Sequence, residues 1–257
     1  MHYMFAHIIL PAANQSYDIE PLFINTVVGY NFSMNWQNIL NALPGIILGL
    51  TVHEYCHALA AYKLGDHTAR DQGRMTFNPL RHIDPIGFLF IIIAGFGWAK
   101  PVQFNPGNLR YPRRDKAIIA AAGPLSNLAL ALLFIAIIRG WLALLAALAG
   151  SAGAERVFSI IYSDPFLFFI NMVFRMATIN LGLFIFNLFP IPPLDGSHIA
   201  FSGLNISPEI EHRIMKIGAP LLFLIIIVQN RTNLTILPIG ELIRAILKVL
   251  LPEFFRW

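Results

Sequence analysis

The stretch Ala42-Leu43-Pro44-Gly45-Ile46-Ile47-Leu48-Gly49-Leu50-Thr51-Val52-His53-Glu54-Tyr55-Cys56-His57-Ala58-Leu59-Ala60-Ala61-Tyr62 decides how the rest of the chain is read. Taken back to residue 38 it is 25 residues long. That is enough to cross the hydrocarbon core of a bilayer as a helix. In a helix, residues four apart lie on one face, one turn from each other. His53 and His57 are so spaced, so both imidazoles can grip one metal ion. Glu54 projects beside them and can act as a general base toward a water. The alternative is that the histidines are hydrogen-bonding core residues. That alternative leaves Glu54 unpaired in an apolar span, which is costly.

The whole composition agrees with a membrane setting. The 257 residues are 56% hydrophobic and only 12% charged, with a mean hydropathy of +0.63. Soluble domains carry about 25% charged residues. The expectation is an all-α polytopic membrane protein, a bundle of about four to six transmembrane helices with a short re-entrant or extended segment on the cytoplasmic side. The single cysteine, Cys56, excludes an intramolecular disulfide and reads as a small apolar filler. The basic balance, pI near 9.4, does not indicate a nucleic-acid partner, because the positive charge is confined to one set of loops, as membrane topology requires.

Along the chain, residues 1–35 mix Pro, Asn, acids and aromatics without a period and read as an N-terminal interfacial or loop segment. Residues 36–257 read as a single transmembrane domain. Its first span is 38–62. A polar loop follows over 63–85. Residues 86–97 are apolar but only 12 long, too short to span, and suit a re-entrant or interfacial element. Alternation and prolines over 98–106 predict an extended piece. Residues 117–138 carry no charge and predict a second span, with 141–153 leaving the bilayer. Residues 166–189 predict a third span and 214–229 a shorter fourth. Residues 239–251 place Glu241, Arg244 and Lys248 on one face and predict a helix lying on the membrane. Phe254, Phe255 and Trp257 suit an interfacial aromatic belt.

Charge sets the orientation. Residues 63–116 hold nine of the 18 basic residues against four acids. By the positive-inside rule they face the cytoplasm. The first span then runs inward, the second outward and the third inward again. His53 and His57 therefore reach a depth similar to that of the end of the third span. There the chain reads Asn187-Leu188-Phe189-Pro190-Ile191-Pro192-Pro193-Leu194-Asp195-Gly196.

The pattern His53-Glu54-x-x-His57 is that of zinc peptidases, and catalytic zinc takes three protein ligands. Asp195 fits best as the third, since the neighbouring prolines break the helix and let the chain turn a carboxylate inward. Pro-Leu-Asp-Gly is also an ordinary turn sequence. His82, Asp84 and His198 are rivals. Asn127 and Asn187 are polar amides within spans. Each could donate to a transition state or to substrate, or simply bond between helices.

Three motifs together, His53-Glu54-x-x-His57, Gly123-Pro124-Leu125-Ser126-Asn127 and Asn187 to Gly196, resemble the site-2 protease family of intramembrane zinc metalloproteases in its compact prokaryotic form. Asn78-Pro79-Leu80, His82-Ile83-Asp84-Pro85 and Gly97-Trp98-Ala99-Lys100-Pro101-Val102 resemble the segment between those motifs. The resemblance implies one Zn2+ per chain on His53, His57 and Asp195, with Glu54 as the base. It implies a single transmembrane protease domain over 36–257 in the cell (inner) membrane, multi-pass, with its active site toward the cytoplasm. Its partners would be the lipid bilayer and a transmembrane protein substrate, with a homo-oligomer also compatible. The chain length leaves no room for the PDZ or CBS domains of many relatives. The competing classes are a transporter using the same groups as an ion relay and an inactive metal-binding scaffold. Internal repeats are absent from the sequence, and Glu54 is intact.

Overall fold

The computed structural model describes residues 36–94, 97–152, 163–232 and 234–252. The readings of 1–35 and of the aromatic residues at 254–257 lie outside the described residues. Eight α-helices follow in chain order among the described residues: α1 Trp36–Lys63, α2 Thr68–Asp71, α3 Pro85–Ala94, α4 Pro112–Ala152, α5 Asp164–Asn187, α6 Asp195–Gly203, α7 Pro208–Arg231 and α8 Ile239–Leu250. The one β feature among them is an isolated antiparallel bridge between Ile83 and Ala99.

Among the described residues, two helices are long and apolar enough to cross a bilayer, Pro112–Leu148 within α4 and Asp164–Asn187. At 1.5 Å per residue, the 24 residues of α5 extend about 36 Å, against roughly 30 Å of hydrocarbon. The 10 residues of α3 reach only about 15 Å. The apolar run there is a short helix, followed by the extended piece that carries the bridge.

Three differences from the sequence reading have local causes. Helix α4 continues to Ala152 and does not stop near 138, because the Ala- and Leu-rich run 141–152 favours helix and Gly140 alone does not break it. Residues 195–203 form a short helix, α6, a stretch to which the sequence reading assigned no helix. Helix α8 turns its apolar face onto the bundle: Ile243 and Leu247 are buried in the core formed by α4 and α5. Leu242, of the same apolar face, stays exposed.

That core runs between Ala131, Phe134, Ile135 and Ile138 of α4 and Ile170, Val173, Phe174, Ala177, Leu181 and Ile185 of α5. Helix α1 packs against both. Its Gly49 makes the close approach to α5 feasible, since a Cβ there would lie 2.8 Å from Oδ1 of Asn180 and from Cδ1 of Leu183. Small residues at such crossings let helix backbones come together. A second cluster, Ala61, Leu109 and Ile119, joins the end of α1 to the start of α4. A third, Leu194, Leu222 and Leu237, holds the α5–α6 turn against α7.

Candidate metal centre and base

Helix α1 delivers both imidazoles to the same place. Their Nε2 atoms lie 3.0 Å apart. Each ring is held from behind by an acceptor. Nδ1 of His53 donates to Oδ1 of Asn127 at 2.6 Å, and Nδ1 of His57 donates to the Ile119 carbonyl at 2.7 Å. Both partners lie on α4. Pro124 has no N–H to give to the Ala120 carbonyl, so the helix ladder is interrupted one residue beyond the carbonyl that His57 uses.

Holding the proton on each Nδ1 leaves a lone pair on each Nε2. The carboxylate of Asp195 completes the convergence, with Oδ2 3.1 Å from Nε2 of His53 and Oδ1 3.4 Å from Nε2 of His57. Asp195 stands in the first turn of α6, after the turn 188–194 that follows α5 and contains a cis Pro192–Pro193 bond. The ligand atoms of His53, His57 and Asp195 all lie within 4.8 Å of one another. Two lone pairs and a carboxylate facing one point repel each other unless a cation sits between them. Gly123 supplies the room: a Cβ there would lie 2.6 Å from Nε2 of His53 and closer still to that of His57. Donor set, geometry and cradle all fit a zinc ion.

The rivals for the third position are occupied elsewhere. Nε2 of His82 donates to the Thr76 carbonyl at 2.8 Å. Oδ1 of Asp84 accepts from the amides of Ile86 and Gly87 at 3.0 and 2.8 Å, at the start of α3. His198 lies 3.4 Å from Glu211, which pairs with Lys116.

Glu54 is buried beside the histidines, and its Oε2 accepts the backbone N–H of Val102 at 2.8 Å. The extended segment 97–105 therefore lies over Glu54. Three anchors hold it. The Lys100 amide bonds to the His82 carbonyl at 2.7 Å. The buried Arg74 guanidinium donates to the carbonyls of Arg81 and Lys100. Oδ2 of Asp66 accepts the Asn105 amide at 2.7 Å, while its Oδ1 accepts from Thr68 Oγ1 and Asn108 Nδ2 at 2.6 and 2.7 Å. Burial opposes the Asp66 charge, but the bonds from Thr68, Asn108 and Asn105 outweigh it and hold the carboxyl below the usual carboxylate range.

Asn127 is fully buried. Its amide hydrogens go to the Gly49 carbonyl at 3.1 Å and to Oδ1 of Asn180 at 3.0 Å, so a transition-state contact from Asn127 would require that network to open. Asn187 donates to the Leu183 carbonyl within α5 at 3.0 Å. Sequence reasoning missed Val102, Arg74, Asp66 and Asn180. The one available signal was the Asp66-x-Thr68 spacing, which marks a local carboxylate turn; nothing in the sequence links it to Asn105.

The model for peptidase family M50 matches residues 41–228, which spans every residue of this site. The chain belongs to that family. The resemblance to the site-2 proteases, read from three short motifs, thus extends over residues 41–228, from α1 into α7. A protein of Bacillus subtilis named "Putative zinc metalloprotease YwhC" is 40% identical over 156 residues, 60% of this chain and 64% of the relative. Proteins named "Putative zinc metalloprotease Rip2" from Mycolicibacterium smegmatis and Mycobacterium tuberculosis are each 29% identical, over 60% of this chain and 53% of theirs. The chain thus spans just over half to just under two thirds of the length of these relatives. No solved structure matches.

Proposed function

We propose that this M50 chain is a zinc-dependent endopeptidase that cleaves a transmembrane helix of a partner protein. One observation carries the reading: two imidazole lone pairs and a carboxylate converge within 4.8 Å, next to the buried Glu54, which is held by the Val102 amide. His53, His57 and Asp195 would hold the zinc. Bound there, zinc supplies Lewis acidity, acidifying a water and polarising the scissile carbonyl. Glu54 accepts a proton from the attacking water and returns it to the leaving amine. The Val102 amide keeps one oxygen of Glu54 fixed, which leaves the other for the proton. Asn127 orients His53, and Asn187 is the side chain we assign to substrate contact.

A helical substrate hides its carbonyls and must be extended before cleavage. The segment 97–105 is itself extended and runs past Glu54, so it can receive such a chain as an added strand. We place the protein in the cell membrane as a multi-pass bundle, 36–257 forming one domain, with α1 and α7 joining the two apolar helices in the bilayer and the site toward the cytoplasm. The nine basic residues of 63–116 support that orientation.

The test is zinc content and cleavage of a single-span membrane substrate by the purified chain in lipid. About one zinc per chain is expected, as in three-ligand catalytic sites. Glu54→Gln should keep zinc and abolish cleavage. A wild type that holds no zinc, or a Glu54→Gln variant that still cleaves, overturns the reading.

A further inference from the structure

Helix α5 contributes no ligand and no base, yet it reaches the metal centre through one side chain. Asn180 is fully buried. Its Nδ2 donates to the Met176 carbonyl at 2.8 Å. Its Oδ1 therefore faces Nδ2 of Asn127 at 3.0 Å. The second hydrogen of that Nδ2 goes to the Gly49 carbonyl at 3.1 Å. This leaves Oδ1 of Asn127 toward Nδ1 of His53 at 2.6 Å.

The chain of bonds has one direction. The carbonyls of Met176 and Gly49 only accept. Turning either amide over would set oxygen against oxygen or N–H against N–H in a buried site, where an unmade bond costs about 1–3 kcal/mol. We infer that Asn180 is a positioning residue: by locking the Asn127 amide from a third helix, it keeps the His53 proton on Nδ1 and the Nε2 lone pair on the metal position. The Gly49 bond alone holds Asn127 at one hydrogen; Asn180 fixes the plane. It also explains why Gly49 must lack a side chain, since a Cβ would press on Oδ1 of Asn180 at 2.8 Å.

The inference rests on the reading of His53 as a metal ligand, and the experiment separates the two. Zinc affinity is measured by chelator competition on the full chain for the wild type, Asn180→Leu, Asn180→Asp, Asn127→Ala and the double variant Asn127→Ala/Asn180→Leu. Partners behind a metal-bound histidine are worth about 10–100-fold in affinity. With the Gly49 bond retained, Asn180→Leu should fall near the lower end, about 10-fold. Asn180→Asp, as the neutral acid in this buried site, keeps the acceptor toward Asn127 and gives its O–H to the Met176 carbonyl, and should bind close to wild type. On the Asn127→Ala background, Asn180→Leu should have no further effect. Equal affinity in Asn180→Leu, or an undiminished effect without Asn127, overturns the inference. Asn180→Ser takes the place of Asn180→Leu if the latter does not fold. In parallel, 15N-histidine spectra of the zinc-free wild type should show His53 protonated at Nδ1. A proton on Nε2 with Nδ1 bare defeats the inference whether or not zinc binds, and a wild type that binds no zinc defeats only the metal reading.

Discussion

The backbone amide of Val102 donates to Oε2 of Glu54 at 2.8 Å, across 48 residues of chain. A main-chain donor cannot be lost to a change of rotamer, so the carboxylate is fixed by the extended segment and not by its own helix. Val102→Pro removes the donor. A hydrogen bond to a charged group is worth about 1.5–3 kcal/mol, so cleavage should fall about 10- to 100-fold with zinc content unchanged. Val102→Ala keeps the amide and should cleave within about threefold of wild type. Equal rates in Val102→Pro and wild type would show that Glu54 is positioned otherwise.

Gly123 forms the floor of the metal position. Gly123→Ala puts a methyl where the two Nε2 atoms converge, and the expected result is a protein that still inserts but retains little zinc. Metal analysis decides it. Full zinc occupancy in Gly123→Ala would mean that the ion sits elsewhere.

Asp195 and His82 can be set against each other. Asp195→Asn keeps size and turn propensity but removes the charge that balances the metal. Weakened zinc and strongly reduced cleavage are expected. His82→Ala removes the bond to the Thr76 carbonyl and should leave zinc content as in wild type. The reverse pattern would make His82 the ligand.

Asp66 links acid stability to the segment over the site. Its carboxyl sits below the usual range when folded, while an unfolded Asp titrates near about 3.9. The stabilisation is therefore complete above about pH 4 and is lost as pH falls further toward the folded value. Limited proteolysis within 97–109 should accelerate below about pH 4 in the wild type. In Asp66→Asn it should be fast already at pH 7 and nearly independent of pH. Identical profiles for the two would remove Asp66 from the role of anchor.

Arg113 donates to Oδ1 of Asn205 at 3.0 Å, and Lys116 pairs with Glu211. Cysteines at positions 110 and 204 should therefore label from one side of the membrane, and that side should be the cytoplasmic one. Labelling from opposite sides would contradict the fold; labelling of both from outside would invert the orientation.

His53, Glu54 and His57 were legible from the sequence because their relation is local: the helical period alone puts residues four apart on one face. The α4 and α5 spans were legible for a similar reason, since a long apolar run with no charge over 117–138, or with Arg175 alone over 166–189, leaves few alternatives to a membrane or core helix. The family resemblance, too, lay in three short motifs. Tertiary structure decided what depends on contacts between distant segments. Four residues were eligible as third ligand by type, and only packing shows that His82, Asp84 and His198 have other partners while Asp195 turns toward the histidines. Asn127 could be a donor to substrate or a partner between helices; its place behind His53, 74 residues away, comes from the crossing of α1 and α4. Val102 and Asn105 act through backbone amides, which every residue but proline possesses, so their identities carry no trace of the role. Side-chain chemistry and local period are written in the sequence, whereas the use of a main-chain donor or a buried amide is set only when the helices pack.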